Sequence, residues 1–298
     1  MELDLLIRGV IAPVLVAVAT VAVVGRDSVR GPGAALTLAL LVSCVAQEPI
    51  ETIPPTAAWQ WVPIAALLAT AVGLAAGERA VNRAGRCMVC VLSATLACLL
   101  LPLPEWSSAD ARLLLAFGIA CLSMLTLPLG MHRGGVSTWF GVAIAFAGSA
   151  TLVLATGFAK LAVPVGAVGV SCVAVGVTAW RSPHRSLHAG IAGTIAVASM
   201  LGMASAAAFA FQTSQLPGWI PALSAAAPLG LWLGEAPPFR GGRVASALAR
   251  VLGAALPAFV AAAAAVTHAP PTDQGTHAYA RRVDAATHLP THAQLVGR

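Results

Sequence analysis

Long, charge-poor apolar runs recur along the whole chain, separated by short connections that hold most of the basic residues. Ten such runs can be marked, at roughly 5–24, 33–47, 62–77, 87–103, 113–130, 139–157, 161–180, 190–211, 220–235 and 248–266. A helix needs about 20 apolar residues to cross the hydrocarbon of a bilayer, and about 17 is the practical minimum. The pattern therefore predicts an all-α integral membrane protein, a polytopic bundle of about ten transmembrane helices. The second run is the weakest, because Gln47, Glu48 and Glu51 follow it so closely; taken alone it reads equally well as a re-entrant or interfacial segment.

The arginines provide an independent check on the threading. With the N-terminus outside, the inner connections carry Arg26, Arg30, Arg79, Arg83, Arg86, Arg133, Arg181, Arg185, Arg240, Arg243 and Arg250. The outer connections carry only Arg112 and Lys160. Such an alternation is what the positive-inside rule requires of an even number of spans. It supports the weak second span and predicts both termini outside, in a bacterial-type inner membrane. Trp59, Trp61, Trp106 and Trp219 fall at the outer boundary and Trp139, Trp180 and Trp232 at the inner one, as interfacial aromatic belts do. Residues 1–266 form the membrane domain. Residues 267–298 are polar, with no apolar periodicity, and read as a mobile tail.

Composition strengthens this picture. Hydrophobic residues make up 58% of the chain and charged residues 9%, against about 25% charged in soluble domains. Mean hydropathy is +0.86. The natural solvent is the lipid bilayer. The net charge of +6 lies in loops rather than in a basic stripe interleaved with aromatics, so nucleic acid is not an expected partner. The start, MELDLLIRG, is acidic where a secretory signal would be basic, and the first run is expected to stay as an anchor.

One internal echo bears on function. Trp61 to Glu78 reads WVPIAALLATAVGLAAGE, and Trp219 to Glu235 reads WIPALSAAAPLGLWLGE. Both would run from outside to inside, as third and ninth spans, which suggests a parallel 4+2+4 pseudo-repeat. Parallel repeats are a transporter plan, with the substrate at the repeat interface. Bilayer physics alone accounts for the same letters: tryptophan anchors, proline in a first turn, and small-xxx-small packing at Gly73, Gly77, Gly230 and Gly234. In that reading the terminal glutamates sit among headgroups with Arg79 or Arg240 nearby. Candidate substrate-path residues are Glu78 and Glu235, with Pro164, Pro221 and Pro228 as helix breaks in spans 7 and 9.

Other reactive groups have ordinary readings. Cys87 and Cys90 share a helical face and could bind a metal or cycle as a dithiol, but no second pair stands at ligand spacing, and buried packing is expected. His288 and His292 in the tail could hold a transition metal weakly, with Pro290 between them opposing alignment. No cofactor is expected. Nor is there a phosphate loop, a nucleophile elbow or a paired carboxylate cluster, so the sequence does not predict an enzyme. Two functions follow: permease-like transport of a small neutral or weakly charged solute, or a non-catalytic scaffold or complex subunit, homo-oligomeric or with a membrane partner. A polar midplane chamber would favour the first. Solid packing would favour the second.

Overall fold

A computed structural model describes residues 7–24, 30–47, 55, 58–76, 82–100, 108–132, 135–180, 187–210, 216–240 and 242–268. These are helical almost throughout. α1 (Ile7–Val24) opens with a π-helical turn, Ile7–Ile11. It is followed by α2 (Gly31–Gln47), α3 (Trp61–Ala76), α4 (Arg83–Leu100), α5 (Ala109–His132) and α6 (Val136–Ala155). Then come α7 (Ala159–Trp180), α8 (Gly190–Ala210) and α9 (Trp219–Ala226), the last continued by a 3-10 helix, Ala227–Glu235. The short α10 (Pro237–Arg240) leads to α11 (Arg243–His268). Among the described residues, 7 helices (α1, α4 to α8 and α11) are long and apolar enough to cross a membrane. The chain thus has the build of a multi-pass membrane protein. α2 and α3 are shorter apolar helices.

α8 is the hub of the bundle. Its sequence, GIAGTIAVASMLGMASAAAFA, is apolar all round, and a helix with no polar face belongs in an interior. It packs against α2, α3, α5, α6 and α9, and more lightly against α4 and α7. Small residues permit the approach. A methyl added at Gly33 of α2 or Gly73 of α3 would press into the α8 backbone at Ala192, and one at Gly130 of α5 would overlap the Thr194 hydroxyl. Without a hydrophobic drive between helices in lipid, close backbone packing of this kind is what holds them. α1 lies outside the ring, on α2 and α7, and α11 lies on α6 and the 3-10 segment.

α11 shows the same logic from the surface. Its buried positions are Ala249, Gly253, Ala254, Ala258, Ala261 and Ala265, while Leu248, Leu252, Leu256 and Phe259 face outward, each more than half exposed. Small residues inward and large ones outward is the arrangement a lipid-facing helix needs.

Polar cross-links are few and sit between neighbouring helices. Thr37 and Thr70 share a hydrogen bond of 2.9 Å between α2 and α3, and Ser149 and Ser224 one of 2.8 Å between α6 and α9. Ser43 of α2 donates to the Gly9 carbonyl in the π-turn at 2.7 Å. α6 and α7 are joined at Gly157, whose φ of 85° reverses the chain within a residue or two.

Three expectations about helix breaks meet different fates. Pro221 is the third residue of α9, where the missing N–H would be unpaired anyway, and the helix runs through it. α7 runs unbroken through Pro164. Pro164 stands early in that helix, so the carbonyl it fails to serve is that of Lys160, in the first turn, and the rest of the ladder continues. The ninth segment does break, and the cause is local. Pro228 has no N–H for the Ser224 carbonyl four residues back; that carbonyl takes the Ala227 N–H instead, three residues on, and the chain tightens into a 3-10 helix. The tightening also lengthens it. Eight α-helical residues and nine 3-10 residues span about 12 Å and about 18 Å, together close to the ~30 Å of bilayer hydrocarbon. As a plain α-helix the same segment would reach only about 25 Å.

Candidate functional site

The features with chemical potential line up along α9. Its Trp219 end borders a lateral groove between α5, α8 and α9, about 440 Å³ in volume. The α9 residues Pro221, Ala222, Ala225 and Leu229 form one wall, Leu114, Leu122 and Leu125 of α5 the opposite one, and Gly202, Ser205 and Ala206 of α8 the floor. Past the break lies a second, smaller hollow of about 30 Å³, enough for about one water. Thr126 and Gly130, Thr138 and Trp139, Thr194, Pro228 and Leu231 border it. Thr126 and Thr194 donate to carbonyls of their own helices, Leu122 at 2.7 Å and Gly190 at 2.7 Å. Among the described residues, no charged side chain lines either hollow.

At its far end the 3-10 segment is clamped. Arg250 Nη2 donates to Glu235 Oε1 at 2.5 Å and Nη1 to Ser137 Oγ at 3.3 Å, joining α11, α9 and α6. The side chains are 15% and 9% exposed, and Arg250 Nε is buried with no hydrogen-bond partner. Ser246 donates to the Gly234 carbonyl at 2.8 Å. Gly230 meets Gly253 of α11 backbone to backbone, so that a methyl on either would overlap the other's carbonyl. On the opposite side the Trp232 indole donates to the Leu125 carbonyl at 2.9 Å. That carbonyl lies in the turn of α5 opened by Pro128, where the helix ladder is already interrupted.

Several sequence candidates thus meet and others do not. Glu235, Pro221, Pro228, Gly230 and Gly234 all belong to this one strip. Glu235 pairs with Arg250, because α11 folds back along the 3-10 segment and brings that arginine under the carboxylate; the side chain of Arg240, the partner the sequence suggested, lies outside the described residues. Gly73 is elsewhere, against α8, and Pro164 is buried in α7. Glu78, Gly77, His288 and His292 lie outside the described residues. Cys90 is buried and Cys87 half-buried, both as free thiols, and no group of three His, Cys, Asp or Glu among the described residues could hold a metal ion.

The part of the strip that sequence reasoning missed is Arg250. A signal was present: the arginine lies inside the tenth apolar run, where a charge needs a partner. The Ser149–Ser224 contact and the Trp232 bond had no such signal, since both depend on which helices become neighbours. No protein-family model matches the chain, and no curated protein is significantly similar to it.

Proposed function

We propose that this is a ten-span inner-membrane protein with both termini outside, acting as a permease for a small neutral, apolar to weakly polar solute. The observation that carries the reading is the broken ninth helix, with a groove that runs alongside it across the break and a smaller hollow beyond it. Discontinuous helices line the substrate sites of many transporters, and a 3-10 stretch within a span marks a place where the chain can yield. The described lining residues support a neutral solute: threonine hydroxyls and apolar side chains, with no charge among them to bind or repel an ion. In this proposal the Ala226–Ala227 junction is the hinge. The 3-10 half stays with α11, and opening the contact between α5 and α9 joins the two hollows.

α2, α3 and the broken ninth segment complete the count of ten. α2 and α3, at 17 and 16 residues, are near the lower limit for crossing, and the alternation of arginines supports them. The parallel 4+2+4 repeat draws less support from the packing. α3 packs closely on α8, whereas α9 makes no comparable contact with α2; α2 packs on α7, whereas α1 makes none with α8.

One observation favours a scaffold or complex subunit instead. The central helix is wholly buried, with no water-filled chamber beside it among the described residues. Cysteine accessibility separates the two. In a variant lacking the six native cysteines, Ala225→Cys and Leu231→Cys are treated with a membrane-impermeant maleimide on sealed vesicles. A permease predicts labelling of the first from outside and the second from inside, at rates well above a buried control such as Ala196→Cys. If both positions stay as protected as the control from either side, the moving-helix reading fails and the scaffold reading stands.

A further inference from the structure

The lateral groove carries an inference that does not depend on any movement of α9. It opens sideways among exposed apolar side chains: Leu114 and Leu125 on its rim are 70% and 53% exposed. In a membrane such faces meet hydrocarbon, so whatever enters the groove comes from the bilayer. Its volume lies within the roughly 300–1,000 Å³ of small-molecule sites. Its depth is informative too. Leu114 to Leu125 on α5 covers eleven residue steps, about 16 Å, which is close to the ~15 Å of hydrocarbon in one leaflet. Gly218 to Leu229, from the residue before α9 into the 3-10 segment, covers the same number of residue steps.

The floor is small-residued, made by Gly202, Ser205 and Ala206. Ser205 is 4% exposed and its hydroxyl has no hydrogen-bond partner among the described residues. Most buried hydroxyls in this protein donate to the carbonyl three or four residues back, as Ser123, Thr126 and Ser171 do. Leaving one unmade costs free energy, and an acceptor arriving in the groove would relieve it. Counted from the ends of their helices, Ser205 and Leu114 each lie five residues in, about 7.5 Å. The hydroxyl therefore lies in the upper part of the groove, below Phe209 and Gly218, where a chain lying in it would carry its polar group.

We propose that the groove between α5, α8 and α9 binds one acyl chain of a membrane phospholipid from the leaflet on the Trp219 side, with the ester carbonyl accepting a hydrogen bond from Ser205. The charged headgroup stays outside, since the described lining has no charged residue to receive it.

The test uses the full chain in nanodiscs containing phosphatidylcholine with a diazirine in the middle of one acyl chain. After irradiation, adducts are mapped by peptide mass spectrometry. Labelling of the Gly202–Phe209 and Pro221–Leu229 segments should exceed that of the outward face of α11, around Leu252 and Leu256, at least threefold. Ala222→Phe, which fills the groove from its rim, should bring groove labelling down to that of α11 while leaving α11 itself unchanged. Ser205→Ala should lower groove labelling about fivefold, the worth of one neutral hydrogen bond. Equal labelling of groove and α11, or no response to Ala222→Phe, overturns the site. An unaltered Ser205→Ala variant overturns the ester contact. A photoreactive benzoylphenylalanine in place of Leu114 tests the other occupant. A lipid adduct is expected, and a cross-linked pair of chains would give the groove to a second copy and overturn the proposal.

Discussion

The Glu235–Arg250 pair offers a quantitative test of the clamp on the 3-10 segment. Both side chains are largely withdrawn from water, at 9% and 15% exposure, and the guanidinium has one carboxylate, one serine hydroxyl and one unsatisfied Nε. A fully exposed pair would be worth about 0–1 kcal/mol. Breaking a fully buried one costs about 3–5 kcal/mol, mostly from the charge left behind. With this burial the effect belongs nearer the second figure, so Glu235→Gln should lower unfolding free energy by about 2–3 kcal/mol. Arg250→Met keeps the apolar stem and should cost a similar amount, about 2 kcal/mol. The double variant should cost less than the sum, leaving a coupling of about 1–2 kcal/mol. The measurement is SDS-induced unfolding in mixed micelles, followed by tryptophan fluorescence for the parent, both single variants and the double. Salt provides a second axis, since a pair shielded from solvent is screened far less than a surface one. Coupling below about 0.3 kcal/mol would be within ordinary additivity and would refute the clamp, as would coupling that vanishes at high salt.

Three further outcomes follow from the packing. Gly230→Ala pushes a methyl into the Gly253 carbonyl and should destabilise by about 2–3 kcal/mol, whereas Gly118→Ala, with open space around it, should stabilise α5 by up to about 1 kcal/mol; the same SDS titration reads both. Pro228→Ala restores an N–H for Ser224 and allows the segment to revert to α-helix, shortening it by about 4–5 Å. A disulfide between Leu125→Cys and Trp232→Cys, in a background without native cysteines, should form in the parent register and be lost on adding Pro228→Ala; undiminished cross-linking would mean that Pro228 does not set the 3-10 geometry. Reporter fusions after residues 30, 83 and 184 should report the inside and a fusion after 298 the outside, and a reversed result at any of them would overturn the ten-span threading.

How much of this was legible in the sequence depends on which forces decide each feature. The ten helical segments fall on the ten apolar runs, because backbone groups in hydrocarbon must be satisfied within a segment and an apolar run has only the helix as an answer. Their neighbours were not legible. In water an amphipathic stripe reveals the buried face, but here lipid is as apolar as leucine, and the only code is small residues inward and large ones outward. α11 shows that code clearly, with alanines on one side and Leu248, Leu252 and Leu256 on the other; α8, apolar and small on every side, could be recognised as buried but not assigned its partners. The two glutamate-ended segments make the same point from the other direction. Their shared letters suggested shared roles, yet Gly73 serves the α3–α8 contact while Gly230 and Gly234 serve the contact with α11, and only the later copy contains Pro228. That one residue lengthens the segment by about 4–5 Å, and it leaves a junction at Ala226–Ala227 in place of a continuous ladder. What the bilayer demands of any helix is enough to account for the letters the segments share. The difference between them, a proline seven residues before a clamped glutamate-terminated end, is where the candidate site lies.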